Sequence, residues 1–170
     1  MLTRAAGLFA LTLGAKPLTC AAPQQVPPPQ AGCVVTRVVD GDTFYCGDGQ
    51  KVRLIGVDSP ELEQRPFGDQ ARQALLQLIP PGTAVVLQRD VAPTDRYGRV
   101  LAYVWKGSTL VNEAMVHDGW AMLYTVPPNV KYAERLERAQ KEARARRTGL
   151  WSGSAFECLP GDYRRRRCLN

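Results

Sequence analysis

A chain of 170 residues with 22 Lys plus Arg against 16 Asp plus Glu is long enough for one folded domain and too short to predict two. The net charge of +6 at pH 7 favours polyanionic partners, while the single histidine excludes reactions that need two histidines or a histidine-based zinc site. The sequence contains no GxSxG, P-loop or GxGxxG motif, which excludes the enzyme and nucleotide-binding classes that depend on them.

The first 30 residues predict targeting and linker segments. A basic start, an apolar run over residues 5–15 and small residues after it predict a signal peptide over residues 1–22. The apolar run is too short to span a bilayer, and no later segment is longer or more apolar, so we predict no membrane span. Proline-rich residues 23–30 predict an extended linker. The protein is therefore expected to be secreted or periplasmic, with a lipid anchor at Cys20 as the alternative.

Four cysteines follow the signal segment, an even number in a chain expected in an oxidising compartment. They predict two disulfides. Cys33 and Cys46 flank a hairpin pattern, and Cys158 and Cys168 bracket the end of the chain, so local pairing is favoured among the three possible connectivities. A zinc site is disfavoured because CxxC spacing is absent.

The first half of the expected domain contains three strand patterns. Residues 34–39 are mostly β-branched and apolar, the Asp-Gly pair after them is typical of a tight turn, and residues 43–46 resume an extended pattern. These features predict a β-hairpin. Residues 51–57 predict a third strand, which Ser59-Pro60 ends.

Helical periodicity begins after the third strand. Apolar residues over 71–79, preceded by Asp69 as the N-cap, predict a first helix. Two strand patterns and two helical patterns follow in this order: 84–88, 101–105, 110–118 with Thr109 as its cap, and 131–147 with Gly149 as its C-cap.

Five short strands, one helix among them and two after them predict an α+β fold, a five-stranded OB-like β-barrel with three α-helices. We expect this domain over residues 31–152, followed by a basic, disulfide-linked tail over residues 153–170. Barrels of this kind bind nucleic acids or sugars on one face, so the fold class does not separate a binding protein from an enzyme.

Several charged residues lie at strand ends or edges that a barrel would bring together. The acidic members are Asp40, Asp42, Asp58 and Glu61, and the basic members are Arg53 and Arg99. Neighbouring carboxylates repel one another unless a cation compensates them, and oxygen-only ligands favour a hard ion such as Ca²⁺ or Mg²⁺. A guanidinium group binds two phosphate oxygens at once and keeps its charge. A metal ion with two arginines therefore predicts a phosphodiester site.

Each of these residues also has an ordinary structural interpretation, as a turn residue or a member of a surface ion pair. Arg53 and Asp58 are an odd number of positions apart and would face opposite sides of a regular strand. The strand must bend or end near Gly56 for the site to form.

Five ordered segments resemble the staphylococcal (micrococcal-type) nuclease family. They are VVDGDTF (38–44), VRLIGVDSPE (52–61), TDRYGRVLAYV (94–104), VNEAMVHDGWA (111–121) and GLW (149–151). The resemblance extends over about residues 34–152. It implies a five-stranded OB-like barrel with three helices, and cleavage of DNA and RNA with little sequence preference to give 3′-phosphorylated products.

The resemblance also implies a calcium site. Asp42 and Asp58 would bind Ca²⁺ through their carboxylates, and Ser59 through its backbone carbonyl. Asp40 would support the ion without binding it directly.

Catalytic and substrate-binding roles follow by position as well. Arg53 and Arg99 would hold the scissile phosphate and stabilise the pentavalent transition state, and Glu61 would orient or deprotonate the attacking water. Tyr97 and Tyr124 match tyrosines near the bound nucleotide, with packing at the barrel edge as the alternative interpretation.

Four departures from the family pattern affect these expectations. Ser59 replaces the usual threonine, Val126 replaces a second nucleotide-contacting tyrosine, and the loop between Glu61 and Phe67 is shorter. The arginine run at 164–167 is additional. This run could bind phosphates nonspecifically or form a solvated tail.

The sequence therefore predicts a secreted, calcium-dependent, nonspecific endonuclease that acts on DNA and RNA as a monomer. The first alternative is a noncatalytic OB-like module of the same family that binds nucleic acid or protein. Such modules lose site residues, whereas this chain retains all five of the residues expected to bind calcium or act in catalysis through their side chains: Asp42, Arg53, Asp58, Glu61 and Arg99. The second alternative is an extracellular binding domain, held by disulfides, in which calcium is structural.

Overall fold

The structure is a computed structural model that describes residues 31–168. The predicted signal peptide, the linker and the alternative anchor at Cys20 lie outside the described residues. Within residues 31–168, none of the helices combines the length and apolar character that crossing a membrane requires.

The described part of the chain forms short strands interspersed with helices. The strands are β1 (Ala31–Val38), β2 (Thr43–Cys46), β3 (Lys51–Leu54), β4 (Val57–Asp58), β5 (Ala84–Gln88), β6 (Val100–Lys106), β7 (Thr109–Leu110) and β8 (Met122–Leu123). The helices are α1 (Phe67–Leu78), α2 (Val111–His117), α3 (Ala133–Arg146) and α4 (Pro160–Arg164), with a 3₁₀ turn at Gly149–Ser152.

Five of these strands close into a barrel. β3, β2, β1, β5 and β6 are neighbours in that order, and β3 also pairs in parallel with β6, where Val52 lies opposite Val100. The other barrel pairings are antiparallel. The closure confirms the predicted five-stranded OB-like α+β fold.

A β-bulge in β1 keeps apolar side chains inside the barrel. The register with β2 shifts between Val35 and Arg37, so the buried positions change from the odd-numbered Cys33 and Val35 to the even-numbered Val38. Helices contribute fully buried side chains to the same core: Leu75 from α1, Met115 from α2 and Leu136 from α3. The helices therefore share one hydrophobic core with the barrel.

Several predicted boundaries were wrong. The third strand ends at Leu54 instead of continuing to Val57, because Gly56 has a positive φ of 78° and turns the chain into β4, which pairs with β8. The first helix begins at Phe67, two residues before the predicted cap Asp69. The described residues also contain a fourth α-helix, the short α4, in the segment expected to be only a tail.

The remaining caps also differ from prediction. Leu110 rather than Thr109 precedes α2. Arg147, which has a left-handed φ of 53°, ends α3 before Gly149 is reached. Neither α2 nor α3 has a side-chain hydrogen bond at its N-cap.

The structure contains both locally paired disulfides. Cys33 in β1 joins Cys46 in β2, and Cys158 joins Cys168 on either side of α4. The second disulfide closes a loop that contains α4, and the Gln64 side chain donates a hydrogen bond to the Cys158 carbonyl, so α4 lies beside the residues described below.

Candidate active site

Three parts of the chain bring the charged side chains together at one end of the barrel: the turn after β1, strand β3, and β4 with the loop that follows it. Asp40 and Asp42 lie in the turn between β1 and β2, and Arg53 lies in β3, opposite Thr43 of β2. Asp58 ends β4, and Ser59 and Glu61 lie in the loop that leads to α1. The break at Gly56 allows Arg53 and Asp58 to meet, as the sequence required.

Asp42 is buried, and both of its carboxylate oxygens accept hydrogen bonds. The Thr43 hydroxyl donates to its Oδ1 at 3.0 Å, and both the backbone N–H and the hydroxyl of Ser59 donate to its Oδ2 at 2.9 Å. Arg53 Nη1 also lies 2.9 Å from Oδ2. Burial would raise the pKa of Asp42, but the Arg53 charge and these hydrogen bonds outweigh burial and lower it, so the carboxylate stays ionised.

Asp40 differs from its neighbour in protonation. Its Oδ1 accepts a hydrogen bond from the backbone N–H of Asp42 at 3.0 Å. Burial, reinforced by the negative charge of Asp42, raises the pKa of Asp40 to about 7. Two close carboxylates thus have different proton affinities, and a cation bound beside them would favour the ionised form of both.

Arg53 bridges the two buried aspartates. Its Nη1 contacts Asp42 Oδ2 and its Nη2 contacts Asp58 Oδ1, each at 2.9 Å. Only 11% of the Arg53 side chain is exposed, so both ion pairs are shielded from solvent. The guanidinium group is therefore fixed in position before any phosphate arrives.

Arg99 is fixed by a residue that the sequence did not single out. Asp95 Oδ2 lies 2.6 Å from Arg99 Nε, and Asp95 Oδ1 accepts from the backbone N–H groups of Tyr97 and Arg99. Burial would raise the pKa of Asp95, but the hydrogen bonds from Arg99 and Tyr97 outweigh it and lower the pKa. Asp95 precedes Arg99 by four residues within segment 94–104, and this spacing was the available signal.

We expect Asp95→Asn to reduce the free energy of unfolding at pH 7 by up to about 1 kcal/mol, the range for a partly exposed ion pair. Because the folded-state pKa of Asp95 is depressed, its stabilisation is present above the unfolded pKa of about 3.9 and is lost as pH falls through the folded value. The difference between wild type and variant should therefore shrink below about pH 4. Urea unfolding at pH 7, 5 and 3 measures it, with the exposed Glu63→Gln as control. A difference that persists unchanged at pH 3 would contradict this role.

Two connected recesses border these residues. A small cavity of about 50 Å³ is lined by Asp40, Asp42, Arg53, Ser59, Pro60, Glu61 and Arg99. A larger groove of about 800 Å³ shares Arg53, Glu61 and Arg99 with it and extends past Tyr97, Tyr124 and Val126. Both tyrosines are exposed, 69% for Tyr97 and 45% for Tyr124, which argues against the alternative that they pack into the barrel edge.

The carboxylate and carbonyl oxygens of the small cavity are of the kind that calcium prefers, although Arg53 and Arg99 also line it. Asp42 and the loop from Ser59 to Glu61 border it directly, while Asp58 lies on the other side of the Arg53 guanidinium. However, within residues 31–168 no group of three acidic, histidine or cysteine side chains is arranged to hold a metal ion. The donor types fit calcium, but guanidinium groups engage part of the set.

The second of these guanidinium groups belongs to Arg164 in α4. Its Nη2 lies 2.8 Å from Asp58 Oδ2, and its Nη1 lies 3.2 Å from Asp58 Oδ1 and 2.5 Å from Glu61 Oε1. The hydrogen bond to Asp58 raises the pKa of Arg164 above its already high ordinary value. The arginine run was recognised in the sequence as additional, but no member of it was predicted to lie in the site.

Comparison with known proteins identifies the family of the chain. Residues 51–153 match the family described as "Staphylococcal nuclease homologue". The chain is 40% identical over 126 residues to a protein named thermonuclease from Staphylococcus hyicus, covering 69% of this chain and 74% of that protein. It is also 39% identical over 126 residues to a thermonuclease from Staphylococcus intermedius, with the same coverage, and 42% identical over 130 residues to the protein ParB of Escherichia coli, covering 69% and 71%. The family match and these identities show that the chain belongs to the staphylococcal nuclease family.

Proposed function

We propose that this protein is a secreted, calcium-dependent, nonspecific endonuclease that hydrolyses phosphodiester bonds of DNA and RNA and leaves 3′-phosphate ends. The observation that carries the proposal is the pair of held arginines, Arg53 and Arg99, which border both the small acidic cavity and the groove beside it. Curated relatives named thermonuclease support the activity class. The two disulfides are consistent with secretion.

The arginines account for phosphate binding and for much of the rate enhancement. A phosphodiester gains negative charge as it becomes pentavalent, and fixed guanidinium groups stabilise that charge without reorganising. Arg53 is held by two buried aspartates and Arg99 by Asp95, so neither must be ordered when substrate binds. The backbone of the nucleic acid would therefore lie across the mouth of the small cavity.

Asp42, Asp58 and the backbone carbonyl of Ser59 would hold the calcium ion, supported by Asp40, and the bound ion would polarise the phosphate and help to bring water to it. Glu61 would accept the proton of that water as its oxygen attacks phosphorus. The bond to the 5′ oxygen then breaks, the leaving 5′ oxygen takes a proton from solvent water, and the phosphate remains on the 3′ side.

The groove accounts for weak sequence preference. Tyr97 and Tyr124 are exposed on its wall and offer faces on which any base could stack. Val126, also exposed in the groove, provides an apolar contact but no aromatic face. Recognition would then depend mainly on phosphate charge, which is the same for every sequence.

The test is digestion of plasmid DNA and of RNA by the purified wild type, with calcium and with chelator. We expect both substrates to be cleaved with calcium, no cleavage with chelator, and product ends that cannot be extended by a polymerase until the 3′-phosphate is removed. A protein that retains an oligonucleotide but never cuts it is instead a noncatalytic binding module. A protein that loses stability with chelator and shows no cleavage under any condition is instead a domain in which calcium is structural.

A further inference from the structure

Arg164 is a third arginine of the site, and it comes from outside the part of the chain that matches the family, which ends at residue 153. It binds both oxygens of Asp58 and one oxygen of Glu61. In the proposed function, Asp58 is a calcium ligand and Glu61 is the base that accepts a proton from water. A guanidinium group that pairs with them competes for the same negative charge.

The segment that carries Arg164 is hydrogen-bonded to the loop between Asp58 and α1. Gln64, buried in that loop, accepts a hydrogen bond from the backbone N–H of Glu61 and donates to the backbone carbonyl of Cys158, at 2.9 and 3.1 Å. Cys158 is joined to Cys168, so both ends of α4 are tied together beside the loop. Pro160, the first residue of α4, is buried. The position of Arg164 is therefore supported by several contacts other than its own ion pairs.

The difference in burial between Asp58 and Arg164 indicates which of the two can give up the ion pair. Asp58 exposes only 3% of its side chain, whereas 41% of the Arg164 side chain is exposed. A buried carboxylate needs a positive partner, while a half-exposed guanidinium can be released to water at small cost. Asp58 would thus keep its buried pair with Arg53 and exchange only its second cation, and Arg164 is the partner that can leave.

We propose that Arg164 is a resident cation of the site which holds Asp58 and Glu61 when calcium is absent and must be displaced when calcium binds. The inference rests on the proposed function. If it is correct, the C-terminal segment raises the calcium concentration that the protein requires. Arg164 would have this role, and the other three arginines of the run would not.

The experiment measures calcium affinity by isothermal titration calorimetry in the absence of nucleic acid. It compares wild type, Arg164→Gln and the matched control Arg165→Gln, in which a neighbouring exposed arginine of the same run loses the same charge. We expect Arg164→Gln to bind calcium about tenfold more tightly than wild type, which corresponds to about 1.4 kcal/mol. Arg165→Gln should remain within about twofold, since it changes only the long-range field. Circular dichroism of each variant establishes that the fold is retained.

Equal, measurable calcium affinities for wild type and Arg164→Gln would overturn the inference alone. Weaker calcium binding by Arg164→Gln would also overturn it, because Arg164 would then support the site. If Arg164→Gln loses affinity for a single-stranded oligonucleotide in chelator while its calcium affinity is unchanged, Arg164 is a phosphate ligand and the inference is again wrong. Absence of calcium binding by all three proteins would overturn the proposed function, and the inference with it.

Discussion

Arg53→Ala is expected to reduce the rate of DNA cleavage by at least about 100-fold at saturating calcium, the typical loss when one fixed electrostatic donor is removed. It should also lower the free energy of unfolding by about 3–5 kcal/mol, since Asp42 would stay buried without a positive partner and Asp58 would keep only Arg164. Steady-state cleavage of a fluorescent oligonucleotide measures the first effect, and urea unfolding in chelator measures the second.

Two further variants separate catalysis from stability. Arg53→Lys keeps a positive charge near the aspartates but loses the planar fork that contacts both of them, so it should recover stability more fully than activity. Arg138→Ala, on an exposed position of α3, should change neither. If Arg53→Lys cleaves DNA at the wild-type rate, the bidentate guanidinium is not part of the reaction, and the proposed assignment of Arg53 is wrong.

Asn112→Leu is expected to lower the free energy of unfolding by about 2 kcal/mol or more, because each buried polar group left without a partner costs about 1–3 kcal/mol. Asn112 is fully buried in α2. Its Oδ1 accepts from the backbone N–H of Val104 at 2.8 Å, and its Nδ2 donates to the carbonyls of Ile55 at 2.8 Å and Ala102 at 3.2 Å. Leucine has a similar size but can neither accept nor donate these bonds.

The same substitution should disturb the site at a distance. Ile55 immediately precedes the turn at Gly56 that brings Asp58 to Arg53, so loosening the Ile55 carbonyl should lower cleavage under conditions where the variant is still folded. Gln77→Leu, which places the same apolar side chain on an exposed position of α1, is the control and should stay within about 0.5 kcal/mol of wild type. A stability loss no larger than that of the control would show that Asn112 does not connect α2 to the barrel.

Local pattern was sufficient for the elements and for the kinds of residue in the site. Period-two and helical spacings predicted the five barrel strands and the three larger helices, because each pattern reflects which face of one element is buried. The boundaries that failed depend on neighbours instead. The third strand stops at Leu54 because the next strand, β4, pairs with β8 from a segment about 65 positions away.

The sequence by itself determined the barrel, the acidic and basic residues at its open end, and a turn near Gly56 without which Arg53 could not meet Asp58. Only the tertiary structure decided which charge faces which. Asn112 braces the turn, and Arg164 reaches Asp58 from 106 positions along the chain. Periodicity describes burial within one element, whereas an ion pair between distant segments, such as that of Arg164 with Asp58, forms only after the barrel has closed and α4 has packed beside the site loop.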